Sequence, residues 1–214
     1  MDWKILRKID IEIDPEEVRR IVGLRKDSGG PSSQRGAERI DSALELAGEL
    51  IEPAAIYTIT EGRNIAGPPV FALLEEMALC VCTVGSGLEE RAAELSREGA
   101  LLEALVVDTA GSVAVERTAD HVNGIISDIA RRKGKRGSLR ASPGYGNWDI
   151  SAQKQIFSIA PAERIGVTLG GGMMMKPEKS ISFAVHISEN PVRLRSANDC
   201  ASCDRGDCPY RKRL

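Results

Sequence analysis

Apolar residues recur along this chain at two different periods. Ala37, Ile40, Ala43, Leu44, Ala47, Leu50 and Ile51 follow helical spacing, so this stretch is predicted to lay one face on a core, with Pro53 as its stop. Val115, Ala119, Val122, Ile126 and Ile129 form the buried stripe of a longer helix predicted from about Ser112, with Glu116 at the edge of the stripe. Period two takes over in the last third. Ile165, Val167 and Leu169 alternate with Gly166 and Thr168, and Ile181, Phe183, Val185 and Ile187 alternate with Ser180, Ser182, Ala184 and His186, so both read as half-buried strands. That register puts His186 on the polar face, where a surface residue is expected rather than a ligand.

Shorter signals fill in the order. Lys4–Ile13 suits an edge strand, and Asp14 followed by Pro15, Glu16 and Glu17 is a helix start that Gly23 ends. Ala54–Thr60 reads as a strand and Val70–Met77 as a helical piece. The apolar run Ala78–Val84, bounded by Gly85-Ser86-Gly87, reads as a buried strand leading to a helix over Leu88–Arg97. The Gly-Ser-Gly turn either cradles an anion at that helix start or is a tight connection; it lacks the further glycines of a dinucleotide fingerprint and the Lys-Ser/Thr of a P-loop. Strands and helices do not alternate as a doubly wound sheet requires, so the predicted fold class is α+β with a largely antiparallel sheet.

The chain has 214 residues, enough for one domain with a sizeable core, placed here over 1–195 and followed by a Cys-rich tail over 196–214. No apolar run is long enough to span a bilayer, and the N-terminus lacks the layout of a secretory signal; the expectation is a cytoplasmic protein with no membrane partner. A net charge of −2 gives no field that would favour nucleic acid. Locally, six of the ten residues from Arg131 to Arg140 are Lys or Arg, which reads as a solvated run or a patch for an acidic partner.

The candidate chemistry begins at Arg140-Ala-Ser-Pro-Gly-Tyr145. Pro143 biases Ser142 toward extended backbone, and Gly144 and Gly146 permit positive φ, so a ligand can approach the main chain of this loop closely. Arg140 offers a planar donor fork for a carboxylate or phosphate, and Tyr145 and Trp148 offer aromatic faces on which a base could stack. The plain alternative is a Pro-Gly turn with incidental aromatics.

Five cysteines, an odd number, fit a reducing compartment. Cys80 and Cys82 lie in the apolar run and read as small buried hydrophobes. Cys200, Cys203 and Cys208 form C-x2-C-x4-C on a polar segment, a set that can hold a [4Fe–4S] cluster or zinc with one further ligand, or remain as free thiols.

The company of the Arg140 motif carries a resemblance. Trp148, Gln153-Lys-Gln-Ile-Phe157, Ile165-Gly-Val-Thr-Leu169, Met175-Lys-Pro177 and Lys179-Ser-Ile-Ser182 follow it, and Thr83-Val-Gly85 and Asp108-Thr-Ala-Gly-Ser112 with Glu116 precede it. This order resembles the reactivation domain of B12-dependent methionine synthase in its free-standing form, over Thr83 to Ser182. The resemblance implies that the chain binds S-adenosylmethionine and supports the reductive methylation of cob(II)alamin. It implies that Arg140 meets the ligand's carboxylate, that Ala141, Ser142, Pro143, Gly144 and Tyr145 line the ligand, and that Glu116 faces its ammonium group. No catalytic nucleophile or base is implied. Two departures stand out: His186-Ile-Ser-Glu-Asn-Pro191 has no counterpart of the family's tyrosine after the Ser-x-Ser strand, and no corrinoid- or folate-binding region is present. The cobalamin must therefore come on a corrinoid-binding methionine synthase or another corrinoid protein, with an external electron donor. The alternative is a small redox or interaction protein acting on such a partner through its Cys tail.

Overall fold

A computed structural model describes residues 1–23, 34–192 and 208. Its centre is a five-stranded antiparallel sheet in the order β1 (Lys4–Arg7), β2 (Ala54–Thr60), β3 (Met77–Thr83), β7 (Ser180–Ser188) and β4 (Arg136–Gly137). The helices are α1 (Pro15–Ile21), α2 (Gln34–Leu50), α3 (Gly87–Arg97), α4 (Leu101–Arg132) and α5 (Ala152–Ile159), and β5 (Thr168–Leu169) pairs with β6 (Met175–Lys176) in a separate hairpin. The α+β class with an antiparallel sheet is as the sequence predicts.

The pleat sorts the two central strands. Ala78, Cys80 and Cys82 of β3 and Phe183, Val185 and Ile187 of β7 pack against Ala119, Val122 and Ile126 of α4. On the opposite face Met77, Leu79, Val81 and Ala184 join Phe71, Trp148, Ile156 and Val167. A third cluster lies among the helices, where Val18, Ala47, Leu88 and Ala110 meet. Because both sheet faces are covered, β3 is buried along its whole length and β7 over all but its second and last residues, so β7 is not the half-buried strand its alternation predicts.

Other differences have local causes. The long helix begins at Leu101, not near Ser112, and its 32 residues run roughly 48 Å. Its first turns bury Ala104, Val106, Val107 and Ala110 on more than one side, which blurs the helical stripe. Of the Ile165–Leu169 run only Thr168–Leu169 is strand, because Gly166 at φ +76° ends a short 3-10 turn there. The first strand stops at Arg7, and the helical piece expected over Val70–Met77 is a short 3-10 helix, Pro69–Leu73, while Met77 already belongs to β3. Asp14 caps α1 as predicted, accepting from the Glu16 N–H at 3.0 Å.

Candidate functional site

The chain leaving α4 runs along the open edge of β7. Arg136 and Gly137 pair with Ser188 and Ile187, and the Ser138 N–H donates to the His186 carbonyl at 2.8 Å. Ala141 and Ala184 then exchange both backbone hydrogen bonds, at 2.9 and 2.8 Å. Residues 136–141 are thus an interrupted path along the sheet edge, and they fix where Arg140 leaves the backbone.

Arg140 points toward α4 and is only 7% exposed. Its Nη2 donates to Glu116 Oε2 at 2.7 Å and to Asp120 Oδ1 at 2.9 Å, and its guanidinium carbon lies 5.3 Å from the centroid of the Phe183 ring. Glu116 and Asp120 share a face of α4 because they are four residues apart. Both retain access to water, at 38% and 43% side-chain exposure. Both hydrogen bonds leave from one nitrogen, Nη2, of a fork that carries N–H groups on three. A buried guanidinium held at one corner, with two partly solvated carboxylates beside it, is suited to receive a group carrying both charges.

Beyond Ala141 the loop turns back on itself. Gly144, at φ +91°, donates from its N–H to the Trp148 carbonyl at 2.7 Å, and the Tyr145 N–H reaches the Ser142 carbonyl at 3.2 Å. Ala141 and Pro143 are buried, whereas Gly144 and Tyr145 are exposed, Tyr145 to 51%. Trp148 is the anchor of the turn and offers no stacking face. It is 3% exposed, donates from Nε1 to the Ala66 carbonyl at 2.8 Å, and meets Phe71 edge-on with ring centroids 5.0 Å apart. Pro-Gly turns with an aromatic a few residues on do not announce which way that ring folds; here the apolar cluster takes it.

The residues singled out in the sequence therefore separate. Glu116 and Arg140 are brought into contact, with the 141–145 main chain continuing from them. Asp120 completes the group and is not among the residues the sequence singles out, although its spacing of four from Glu116 on a predicted helix is the signal for it. His186 is buried, not a surface residue: its Nδ1 accepts the Val192 N–H at 2.8 Å, and burial, helped by the charge of Lys135, pushes its pKa below the ordinary histidine value. Gly85-Ser86-Gly87 is a tight connection, with Gly85 at φ +81° donating to Thr83 Oγ1 at 3.1 Å.

Cys80 and Cys82 are fully buried as expected, and burial drives both thiols upward, Cys82 to about 12 against the opposing charge of Arg140. Cys200 and Cys203 lie outside the described residues, as does most of the 196–214 tail; Cys208 is described and half-buried. Among the described residues no group of three or more His, Cys, Asp or Glu side chains is arranged to hold a metal ion. Nor, among them, is any helix long and apolar enough to cross a membrane. In the basic run, Lys135 donates to Glu76 at 2.8 Å, Lys133 pairs with the same carboxylate, and Arg131 pairs with Asp128.

No protein-family model matches this chain, and no curated protein does. Among solved structures it is similar to the MetH reactivation domain, crystallised bound to AdoHcy, with a TM-score of 0.64 over 91% of this chain and 81% of that one. Sequence identity across the match is 12%, so the likeness is one of fold: a curved antiparallel sheet with helices packed on it.

Proposed function

We propose that this chain binds S-adenosylmethionine at Arg140, Glu116 and the 141–145 main chain, and supports reductive methylation of cob(II)alamin carried by a separate corrinoid protein. The observation that carries the reading is the contact of Arg140 with Glu116 beside a loop whose backbone is tied to β7. The fold likeness to a reactivation domain is consistent with it.

The methionine end of the ligand is a zwitterion, and Arg140 and Glu116 are a matched pair for it. Its carboxylate meets the guanidinium on N–H groups other than those given to Glu116 and Asp120, while Glu116 turns from the guanidinium to the ammonium group. Asp120 keeps Arg140 in place during that exchange, so formal charge stays balanced throughout. Gly144 lets the ligand approach the main chain, where a side chain would stand in the way. The chain's contribution is proximity and orientation of the sulfonium methyl group. A corrinoid held by the partner and reduced by one electron from an external donor would supply the nucleophile for the methyl group, with S-adenosylhomocysteine as the leaving product.

Calorimetry tests the binding step. Wild type should bind S-adenosylmethionine, and Glu116→Gln and Arg140→Ala should each weaken it by roughly 10- to 100-fold, as expected when one charged hydrogen-bond partner is removed. Because Arg140→Ala also removes an internal ion pair, Glu116→Gln decides the matter if the arginine variant unfolds. A wild-type protein that binds neither S-adenosylmethionine nor S-adenosylhomocysteine overturns the reading. Mixing the protein with cob(II)alamin-loaded corrinoid proteins, a low-potential reductant and S-adenosylmethionine then tests the methylation, read from the corrinoid's visible spectrum.

A further inference from the structure

Helices α3 and α4 are joined by a turn at Glu98–Ala100 and pack side by side. Between them lies a groove of roughly 660 Å³. The small residues Ala92 and Ala104 are buried at its base, with Ala93 exposed beside them, so another backbone can come close. One wall carries Leu101 and Leu105, four apart on α4 and exposed to 67% and 49%. The rim carries Glu89, Glu90, Asp108 and Glu178. Of these, Asp108 meets Lys179 at 2.7 Å, and Glu89 accepts the Glu178 backbone N–H at 2.6 Å. Glu90 and Glu178 have no cationic partner among the described residues.

Two leucines held in water at helical spacing, over a small-residue floor and under an acidic rim, specify their complement. We propose that this groove docks a cationic amphipathic helix of a partner protein, with its apolar residues at i and i+3 or i+4 seated against Leu101 and Leu105 and its Lys or Arg side chains meeting Glu90 and Glu178. A second copy packed face to face would set carboxylates against carboxylates, and an anionic membrane surface has the wrong sign. An extended peptide would find no unpaired strand edge between two helices, so the ligand presents side chains rather than main chain. This surface is separate from the Arg140 site and does not depend on the function proposed there.

The test uses a fluorescein-labelled helical peptide of Leu and Lys with one apolar face, titrated with the full chain and followed by anisotropy. Wild type should bind, more weakly as salt rises. The double variant Leu101→Asp/Leu105→Asp should lose at least about tenfold in affinity, and Glu90→Lys/Glu178→Lys should lose a comparable amount. Leu73→Asp, at a leucine 81% exposed elsewhere, should bind as wild type does. Since the changed side chains lie at the surface, circular dichroism should show unaltered folding. Equal binding by the double leucine variant, or equal binding of a Leu/Glu peptide, overturns the proposal. So does self-association of the unliganded chain that the leucine variant abolishes, which would assign the groove to a second copy. Tighter peptide binding after removal of residues 209–214 would overturn it in favour of the chain's own basic segment.

Discussion

Arg140 and Glu116, 24 residues apart in sequence, meet at 2.7 Å through Nη2 and Oε2, and the guanidinium is the more deeply buried of the two. The asymmetry determines what each change costs. Removing Arg140 takes away the cation that Glu116 and Asp120 share on one helix face, and leaves a void over Phe183. Solvent reaches both carboxylates and screens their repulsion, so Arg140→Ala should lower stability by about 2 kcal/mol rather than the larger loss of a fully buried pair. Glu116→Gln should cost less, about 1 kcal/mol, because Asp120 still holds the guanidinium. Urea unfolding of the two single variants and the double variant checks this through their coupling, which should be non-zero.

Cys82 offers a sharper chemical readout. With its thiol pushed up to about 12 by burial and that of Cys80 also raised, neither exists as thiolate at mild alkaline pH. Both should resist alkylation by iodoacetamide in the native state and react once the chain is unfolded. Peptide mass spectrometry reads the two sites separately, and native labelling of either would mean that β3 is not sealed as the sheet packing implies.

How much of this is legible without the structure depends on how many faces a segment buries. The strands Ala54–Thr60 and Met77–Thr83 and the helix over Gly87–Arg97 are readable within a residue or so, because Pro53 and Gly85-Ser86-Gly87 mark ends and the two strands are short, mostly apolar runs. The start of α4 is not, since Leu101 and Leu105 face water while their neighbours are buried, which inverts the local pattern. His186 looks exposed from sequence because alternation assumes that one sheet face is wet; here the cluster around Trp148 covers the second face. In the site, Glu116 and Arg140 are legible as charges suited to one ligand, but their contact depends on how α4 crosses β7, which no local pattern encodes.

Glycines separate close approach from mere flexibility. A Cβ on Gly62 would stand 2.1 Å from the Phe71 carbonyl oxygen, backbone that cannot move without dislodging a ring 2% exposed. Gly62→Ala should therefore destabilise by about 1–3 kcal/mol. Gly48 and Gly124 sit on exposed faces of α2 and α4, and a methyl group added at either would find nothing within 4 Å. Changing either to Ala should stabilise by about 0.5–1 kcal/mol, since it restricts the unfolded chain and favours helix. Thermal melts of the three variants give the two signs directly.

Acid should act on this protein in two stages. His186 has a folded-state pKa below its unfolded value, so the unfolded chain takes up a proton first, and the stability that neutral His186 provides is complete above about pH 6.5 and falls as pH drops below it. The neutral ring is the one that accepts the Val192 N–H on Nδ1, and the charge of Lys135 opposes a second positive charge there. Glu76 comes later. Burial tends to raise its pKa, but hydrogen bonds from Lys133 and Lys135 outweigh that and hold it below the usual carboxylate value, so its contribution is lost only as pH falls below about 4.5. Urea midpoints across this range should show the first decline shrinking in His186→Gln, whose amide oxygen can still accept from Val192, while the second persists. In Glu76→Gln the order reverses, with the decline near neutrality kept and the acidic one reduced. A histidine variant with an unchanged profile between about pH 7 and 5 would mean that the imidazole reaches solvent in its protonated form without leaving the fold.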